Sequence, residues 1–186
     1  TEPHRHFSHL MAFHPLGLLD PSQGDSVRRI LQNSMETLER IGPEWWCGYS
    51  YSWVGGMWAR MGDGERAAAA LRDFAQCFCL KNSFHANGDQ SRSGKSNFTY
   101  RPFTLEGNMA FASSLQEMLL QSHTGTVRIF PAIPPSWKDV SFRTLRTEGA
   151  FLVSAAMRDG KVSEVKVRST VGGPLRVLNT FSRPIE

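Results

Sequence analysis

Near Gly125 the hydrophobic periodicity of this chain changes, and that change constrains its fold more than any other feature. Before it, apolar residues recur at helical spacing; after it, they fall in short runs separated by turns. Asp25 to Arg40 sets Val27, Ile30, Leu31, Met35 and Leu38 on one stripe, and Gly42-Pro43 closes the run. Ser50 to Arg60 predicts a second helix with Trp53, Met57 and Trp58 on a shared face. Gly62-Asp63-Gly64 breaks it, and the alanine-rich stretch Glu65 to Cys79 predicts a third. A fourth spans Leu105 to Ser122, with Met109, Phe111, Ala112, Leu115, Met118 and Leu119 as its expected buried face. Beyond Gly125, strands are predicted at Thr126 to Phe130, Phe142 to Glu148, Phe151 to Met157, Val162 to Arg168 and Leu175 to Asn179. Asp159-Gly160 gives the hairpin turn between two of them. Helices followed by strands imply a helical unit with an appended β module, divided near Thr124.

Between the third and fourth helices, Asn82 to Tyr100 is poor in apolar residues and rich in Ser, Asn and Gly. It predicts a long loop, which inside a compact domain is functional or disordered. The same stretch carries one glycosylation sequon, Asn97-Phe98-Thr99.

With 186 residues and 40% hydrophobic content, the chain holds enough apolar material for one or two cores without a disulfide or metal staple. The net charge of +4 is mild, and its excess lies late, in Arg143, Arg146 and from Lys161 to Arg176. The aromatics cluster elsewhere, at Trp45, Trp46, Tyr49, Tyr51, Trp53 and Trp58, so the basic stripe interleaved with aromatics that nucleic acid needs is missing. No apolar run reaches the roughly 20 residues of a membrane helix. Three cysteines cannot all pair, and Cys77 and Cys79, two apart on a helix, point in divergent directions. They read as small buried thiols.

Half of the six histidines fall in His4-Arg5-His6-Phe7-Ser8-His9. Imidazoles in such a run suit zinc if a fourth ligand is found, a hydrogen-bonded structural cluster, or recognition of a hydroxylated ligand. Glu106, in Pro102-Phe103-Thr104-Leu105-Glu106-Gly107-Asn108, opens the fourth helix, where the dipole favours a carboxylate. Its sharper reading is a group on a cavity rim beside Asn108, acting as a general base or polarising one. Glycoside hydrolysis by the usual route needs two carboxylates, and the spacing does not nominate the second. The stretch Trp45 to Trp53 serves either as core or as stacking platforms for sugar rings.

Taken in order, these segments resemble glycoside hydrolase family 95. The resemblance is carried by His4-Arg5-His6-Phe7-Ser8-His9-Leu10, Gly48-Tyr49-Ser50 with Trp53, and Trp58-Ala59-Arg60. It continues through Pro102 to Asn108, Glu117-Met118-Leu119-Leu120-Gln121-Ser122, and Phe130-Pro131-Ala132-Ile133-Pro134 with Trp137. Such a resemblance implies inverting hydrolysis of terminal α-1,2-linked L-fucose or of α-L-galactose by a secreted or periplasmic exo-glycosidase without a cofactor. For the fold it implies the last helices of an (α/α)6 barrel over residues 1–124, then a small antiparallel β-sandwich over 125–186. The partners it implies are an oligosaccharide and the upstream barrel helices of the same protein, with no nucleic acid and no membrane.

In that family the general-acid glutamate and the asparagine pair that positions water lie upstream. Glu106 occupies the place of the aspartate that polarises the base asparagine, one methylene longer. His4, His6 and His9 include a sugar-contacting position, and Asn108 and Trp53 are expected at the substrate. Val54 stands where the family has lysine. These departures leave a binding or scaffold relative without catalysis as the alternative function, and a free-standing metal hydrolase using the histidines as a third.

Overall fold

The computed structural model describes residues 2–181. Two 3-10 turns, Ser8–Leu10 and Pro21–Gln23, precede four helices: α1 (Asp25–Ile41), α2 (Gly48–Met61), α3 (Gly64–Cys77) and α4 (Leu105–Leu119). The strands are β1 (Leu120–Gln121), β2 (Arg128–Ile129), β3 (Val140–Arg146), β4 (Phe151–Arg158) and β5 (Lys161–Ser169). Helices precede two small antiparallel sheets, β1-β2 and β3-β4-β5, as the sequence predicts.

The second helix departs from the expected one-sided pattern. From Ser50 to Arg60 every residue of α2 is buried, because α3 packs on one side and α4 on another. Glycine permits both approaches. A Cβ on Gly55 would stand 2.9 Å from Leu71 Cδ2 of α3, and one on Gly56 would stand 2.7 Å from Ser114 Oγ of α4. Hydrogen bonds reinforce the second contact: Ser52 Oγ donates to the Gly107 carbonyl at 3.1 Å, and Ser114 Oγ donates to the Ser52 carbonyl at 2.7 Å.

The same close packing shifts the face expected for α4, keeping Met118 buried but turning Met109 and Ala112 outward. Gly107, Ser114 and Met118 are its buried residues, whereas Met109 is 59% exposed and Ala112 is exposed as well. Phe111, Leu115 and Leu119 are half-buried. Small residues were needed on the contact side, so apolar ones were left outside, and Leu105 is 49% exposed one turn before Met109.

α4 also stops earlier than Ser122. Leu120 is extended and pairs with Ile129, and Phe130 N–H donates to the Leu119 carbonyl at 2.8 Å. In β4 the buried residues alternate at Phe151, Val153, Ala155 and Met157, the signature of a half-buried central strand. The strand predicted at Leu175 to Asn179 is reduced to one parallel bridge between Val127 and Val177. A second core of Leu120, Val127, Ile129, Phe142, Val153 and Ala155 lies beneath these sheets.

Polar contacts tie the helices to the β module and to the segment that leads into it. Asp20, 1% exposed, accepts from His123 Nε2 at 2.9 Å and from Arg128 Nη2 at 3.1 Å. Gln121 Nε2 donates to the Ala59 carbonyl at 2.9 Å. Gly64 lies so close to the Ala132 carbonyl that a Cβ would be 2.6 Å from it.

The segment from Asn82 to Tyr100 is a loop, as predicted, but a tightly bonded one. Asp89 accepts from the N–H groups of Ser91, Arg92 and Lys95 and from Ser91 Oγ. Tyr51 Oη donates to the Lys95 carbonyl at 2.6 Å, and Ser96 Oγ to the Trp46 carbonyl at 2.6 Å. The free cysteines Cys47 and Cys77 are buried and Cys79 is half-buried. Among the described residues no helix is long and apolar enough to cross a membrane.

Candidate functional site

The N-terminal ends of α2 and α4 converge, and one buried imidazole sets their separation. His85 is fully buried, with Gly48 at the first turn of α2 and Gly107 at the first turn of α4. A Cβ on either glycine would lie 2.2 Å from a ring nitrogen. His85 Nδ1 donates to the Thr104 carbonyl at 2.7 Å, which assigns its proton to that nitrogen. Burial lowers its pKa, against the opposing pull of the Thr104 carbonyl and Glu106, so the ring stays neutral.

Asn108 belongs to the same support. Its Oδ1 accepts from the His85 N–H at 2.9 Å and its Nδ2 donates to the Ser83 carbonyl at 2.9 Å. Both ends of the amide are thus engaged with backbone, behind the cavity rather than on its rim.

In front of His85 lies a cavity of about 190 Å³ lined by Arg5, His6, Cys47, Tyr49, Asn87 and Glu106. Arg5 and His6 come from the extended N-terminal segment, which Ser50 holds by donating Oγ to the Arg5 carbonyl at 2.7 Å. Phe7, the next residue, is 1% exposed and packs on Trp46 and Trp53 with ring centroids 5.2 and 5.3 Å away. Trp53 is therefore a core platform for Phe7, and its indole N–H donates to the His14 carbonyl at 3.0 Å. Core packing, one of the two roles open to this aromatic stretch, is what the geometry gives to Trp53.

Glu106 projects from the first turn of α4 and is exposed, where the helix dipole favours its charge. The Tyr49 phenol is pushed up by burial and by the neighbouring Cys47 and Glu106, so it keeps its proton at neutral pH. His6 is pushed down by partial burial and by Arg5 and His4, leaving a neutral ring that both donates and accepts.

Of the expected site residues, then, Glu106 and His6 share this cavity. His4 and His9 line, with His6, a neighbouring cavity of about 500 Å³ against Asn33 and Thr37 of α1. His4 and His6 rings meet edge to face at 5.2 Å, and His4 Nδ1 accepts from the His6 N–H at 3.1 Å. Among the described residues, no three His, Cys, Asp or Glu side chains converge as metal ligands.

Arg5, Tyr49 and Asn87 were not singled out from sequence. Arg5 and Tyr49 stand inside segments that carry the family resemblance, and those were the available signal; Asn87 had none. His85 could have been found only from the glycines that face it.

Chemically, the cavity offers one carboxylate, one neutral imidazole, one guanidinium, one phenol, one amide and the Cys47 thiol. That set suits a small polyhydroxylated ring, each hydroxyl being both donor and acceptor. Among the described residues Glu106 is its only carboxylate, so paired-carboxylate hydrolysis needs a second acid from outside. A larger cavity of about 620 Å³ lies at the junction of helices and sheets, but its Arg60 and Arg128 are already paired, with Glu117 and Asp20.

Residues 1–119 match the glycosyl hydrolase family 95 catalytic domain, and residues 121–183 match the glycoside hydrolase family 95 C-terminal domain. Among curated relatives, the chain is 27% identical to "Alpha-L-fucosidase 2" of Arabidopsis thaliana over 163 residues. That alignment covers 87% of this chain and 18% of the relative. It is 24% identical over 179 residues to "Probable alpha-fucosidase A" of Aspergillus niger (strain ATCC MYA-4892 / CBS 513.88 / FGSC A1513), covering 87% of this chain and 21% of the relative. The chain thus spans about a fifth of the length of these relatives.

Proposed function

Because the chain belongs to glycoside hydrolase family 95, we propose that it is the C-terminal part of an inverting exo-hydrolase removing terminal α-L-fucosyl or α-L-galactosyl residues from oligosaccharides. The observation that carries this reading is the meeting of Glu106 and His6, two segments a hundred residues apart in sequence, in one cavity sized for a single sugar ring.

In this mechanism water attacks the anomeric carbon in one displacement while an acid protonates the leaving oxygen. Glu106 polarises an upstream asparagine that takes the water's proton, and the general acid also comes from upstream. Arg5, His6, Tyr49 and Asn87 bind sugar hydroxyls. His4 and His9 extend the polar wall beyond His6, while Asn108 and Trp53 act from behind the site. No cofactor enters.

The helices over residues 1–124 close an (α/α)6 barrel with upstream helices of the same protein, and residues 125–186 belong to the β-sandwich beside it, residue 1 and residues 182–186 lying outside those the structure describes. The exposed apolar residues Leu105 and Met109 on α4 and Ile30 on α1 support such a covering partner. The enzyme is secreted or periplasmic, with an oligosaccharide as its ligand and neither nucleic acid nor membrane as partner.

The test uses the full-length protein on α-L-fucosides and α-L-galactosides, with the anomer of the first product read by NMR. Inverted product is expected, and Glu106→Gln should lower kcat at least about a hundredfold, the scale of general-base assistance. Near-normal turnover in that variant overturns the role of Glu106. Binding without hydrolysis by the unaltered protein would instead establish the non-catalytic alternative.

A further inference from the structure

Beside the cavity stands a ridge of three aromatic rings. Trp45 meets Phe98 edge to face, with centroids 5.3 Å apart at 64°. Phe98 meets Tyr100 in the same way, at 5.3 Å and 86°. Trp45 and Tyr100 are each 42% exposed, and Phe98 is the half-buried wedge between them. Perpendicular packing of this kind leaves the outer rings with faces not stacked on one another.

The ridge is joined to the cavity wall at two points. Asn87 Nδ2 donates to Tyr100 Oη at 2.9 Å, and the Arg5 guanidinium carbon lies 6.0 Å from the Phe98 centroid. The two segments that carry the rings are also bonded to each other. Asn97 N–H donates to the Glu44 carbonyl at 2.8 Å and Asn97 Nδ2 to Glu44 Oε1 at 2.9 Å.

We propose that Trp45, Phe98 and Tyr100 form the subsite for the saccharide from which the terminal sugar is removed, a hexopyranosyl leaving group stacked by its apolar face. This rests on the reading of the Arg5–Glu106 cavity as the site of the cleaved sugar. Pockets that enclose whole drug-sized ligands run from roughly 300 to 1,000 Å³. At about 190 Å³ this cavity has room for one ring, so the rest of an oligosaccharide must lie outside it. The ridge is the surface reached on passing Arg5 and Asn87. A pyranose presents a face of C–H groups, and these complement the electron-rich face of an aromatic ring. Because the rings are already fixed, little side-chain freedom is lost when a sugar lands on them. The exposed amide of Asn97 and carboxylate of Glu44 supply polar groups at the edge for hydroxyls.

The experiment compares two substrates of the full-length protein, an α-1,2-fucosylated galactoside and α-L-fucosyl fluoride, whose leaving group is a single atom. Trp45→Ala should lower kcat/KM on the galactoside by about three- to tenfold, the worth of one stacking contact. Turnover of the fluoride should stay within about twofold of the unaltered enzyme. Trp45→Phe should restore most of the galactoside activity. An equal loss on both substrates, as when the ridge is covered by another part of the protein, overturns the proposal, and so does no loss on either. If the unaltered protein turns over neither substrate, the cavity reading fails first. Saturation-transfer NMR with lactose then decides the ridge: signal abolished by Trp45→Ala supports a sugar platform, and no signal from the unaltered protein overturns it.

Discussion

His85 donates Nδ1–H to the Thr104 carbonyl at 2.7 Å, and Thr104 N–H returns a bond to the His85 carbonyl at 3.3 Å. Thr104 is the residue immediately before α4, and Glu106 stands two positions later. The backbone that carries the carboxylate is therefore held from behind by a neutral buried ring clamped between two helix starts.

Glycine at positions 48 and 107 follows from this clamp. Gly48→Ala or Gly107→Ala drives a methyl to within 2.2 Å of the imidazole. Each should destabilise the chain by about 1–3 kcal/mol, the cost of overpacking a close-packed site. Urea unfolding followed by circular dichroism measures it. A shift in midpoint no larger than at an exposed alanine substitution would show that the clamp yields freely.

Arg60 and Glu117 form a largely buried ion pair at 2.8 Å, and Arg60 Nη1 also donates to the Phe13 carbonyl at 2.8 Å. Removing one partner leaves the other charge without its counter-ion. Arg60→Met should cost about 3–5 kcal/mol, and adding Glu117→Gln should recover part of that loss. Chemical denaturation of the single and double variants supplies the comparison. Strict additivity of the two losses would argue against coupling.

Asp20 joins the helical unit to the β module through a pH-dependent contact. Burial alone would raise its carboxyl, but hydrogen bonds from His123, Ser22 and Arg128 hold it far below the ordinary carboxylate range. A depressed folded pKa means that the stabilisation is complete above the unfolded value, near 3.9. It is lost as pH falls from about 5 toward the folded value. Asp20→Asn should be less stable at pH 7, leaving the half-buried Arg128 without its counter-charge, and should show a shallower decline in stability below about pH 5. Parallel acid titrations of both proteins by tryptophan fluorescence would reveal whether the slopes differ.

His14 acts over a higher window. Burial, with Arg60 and His123 nearby, lowers its pKa to about 3. Between that value and the unfolded value near 6.5 the unfolded chain binds one proton more than the folded chain. Stability should thus fall as pH drops through this range, by about 1.4 kcal/mol per unit for this group alone. His14→Gln, which removes its share of the titration, should make the dependence between pH 6.5 and about 5 shallower, before Asp20 begins to contribute, while His85 and His6, also lowered by burial, keep theirs. An unchanged slope in that interval would mean that His14 does not contribute to it.

Much of this fold was legible because helix and strand periods are local. The stripe of Val27, Ile30, Leu31, Met35 and Leu38, of which only Ile30 turns out exposed, at 60%, the break at Gly62-Asp63-Gly64 and the Asp159-Gly160 turn each act within a few residues, and the elements begin and end close to where those signals lie. The family resemblance was legible too, since it needs only the order of short segments. What the sequence could not decide was which face of a helix is covered. Met109 reads as core by period but is exposed, because α4 meets α2 through Gly107 and Ser114.

The candidate site shows the same division. Glu106 and His6 announced themselves by residue type and position, and tertiary packing alone put them in one cavity. Trp53 and Asn108 share the motifs of the site but were drawn into its support, Trp53 under Phe7 and Asn108 onto the backbone at His85 and Ser83. His85 and Asn87 had no local signal at all. By itself the sequence determined the elements, their order and the chemical groups available, since propensity, turn chemistry and side-chain identity are properties of a few neighbouring residues. Only the tertiary structure decided which groups face one another, because the contacts that place the start of α4, and Glu106 with it, join segments distant in sequence and depend on the absence of a methyl group at two glycines.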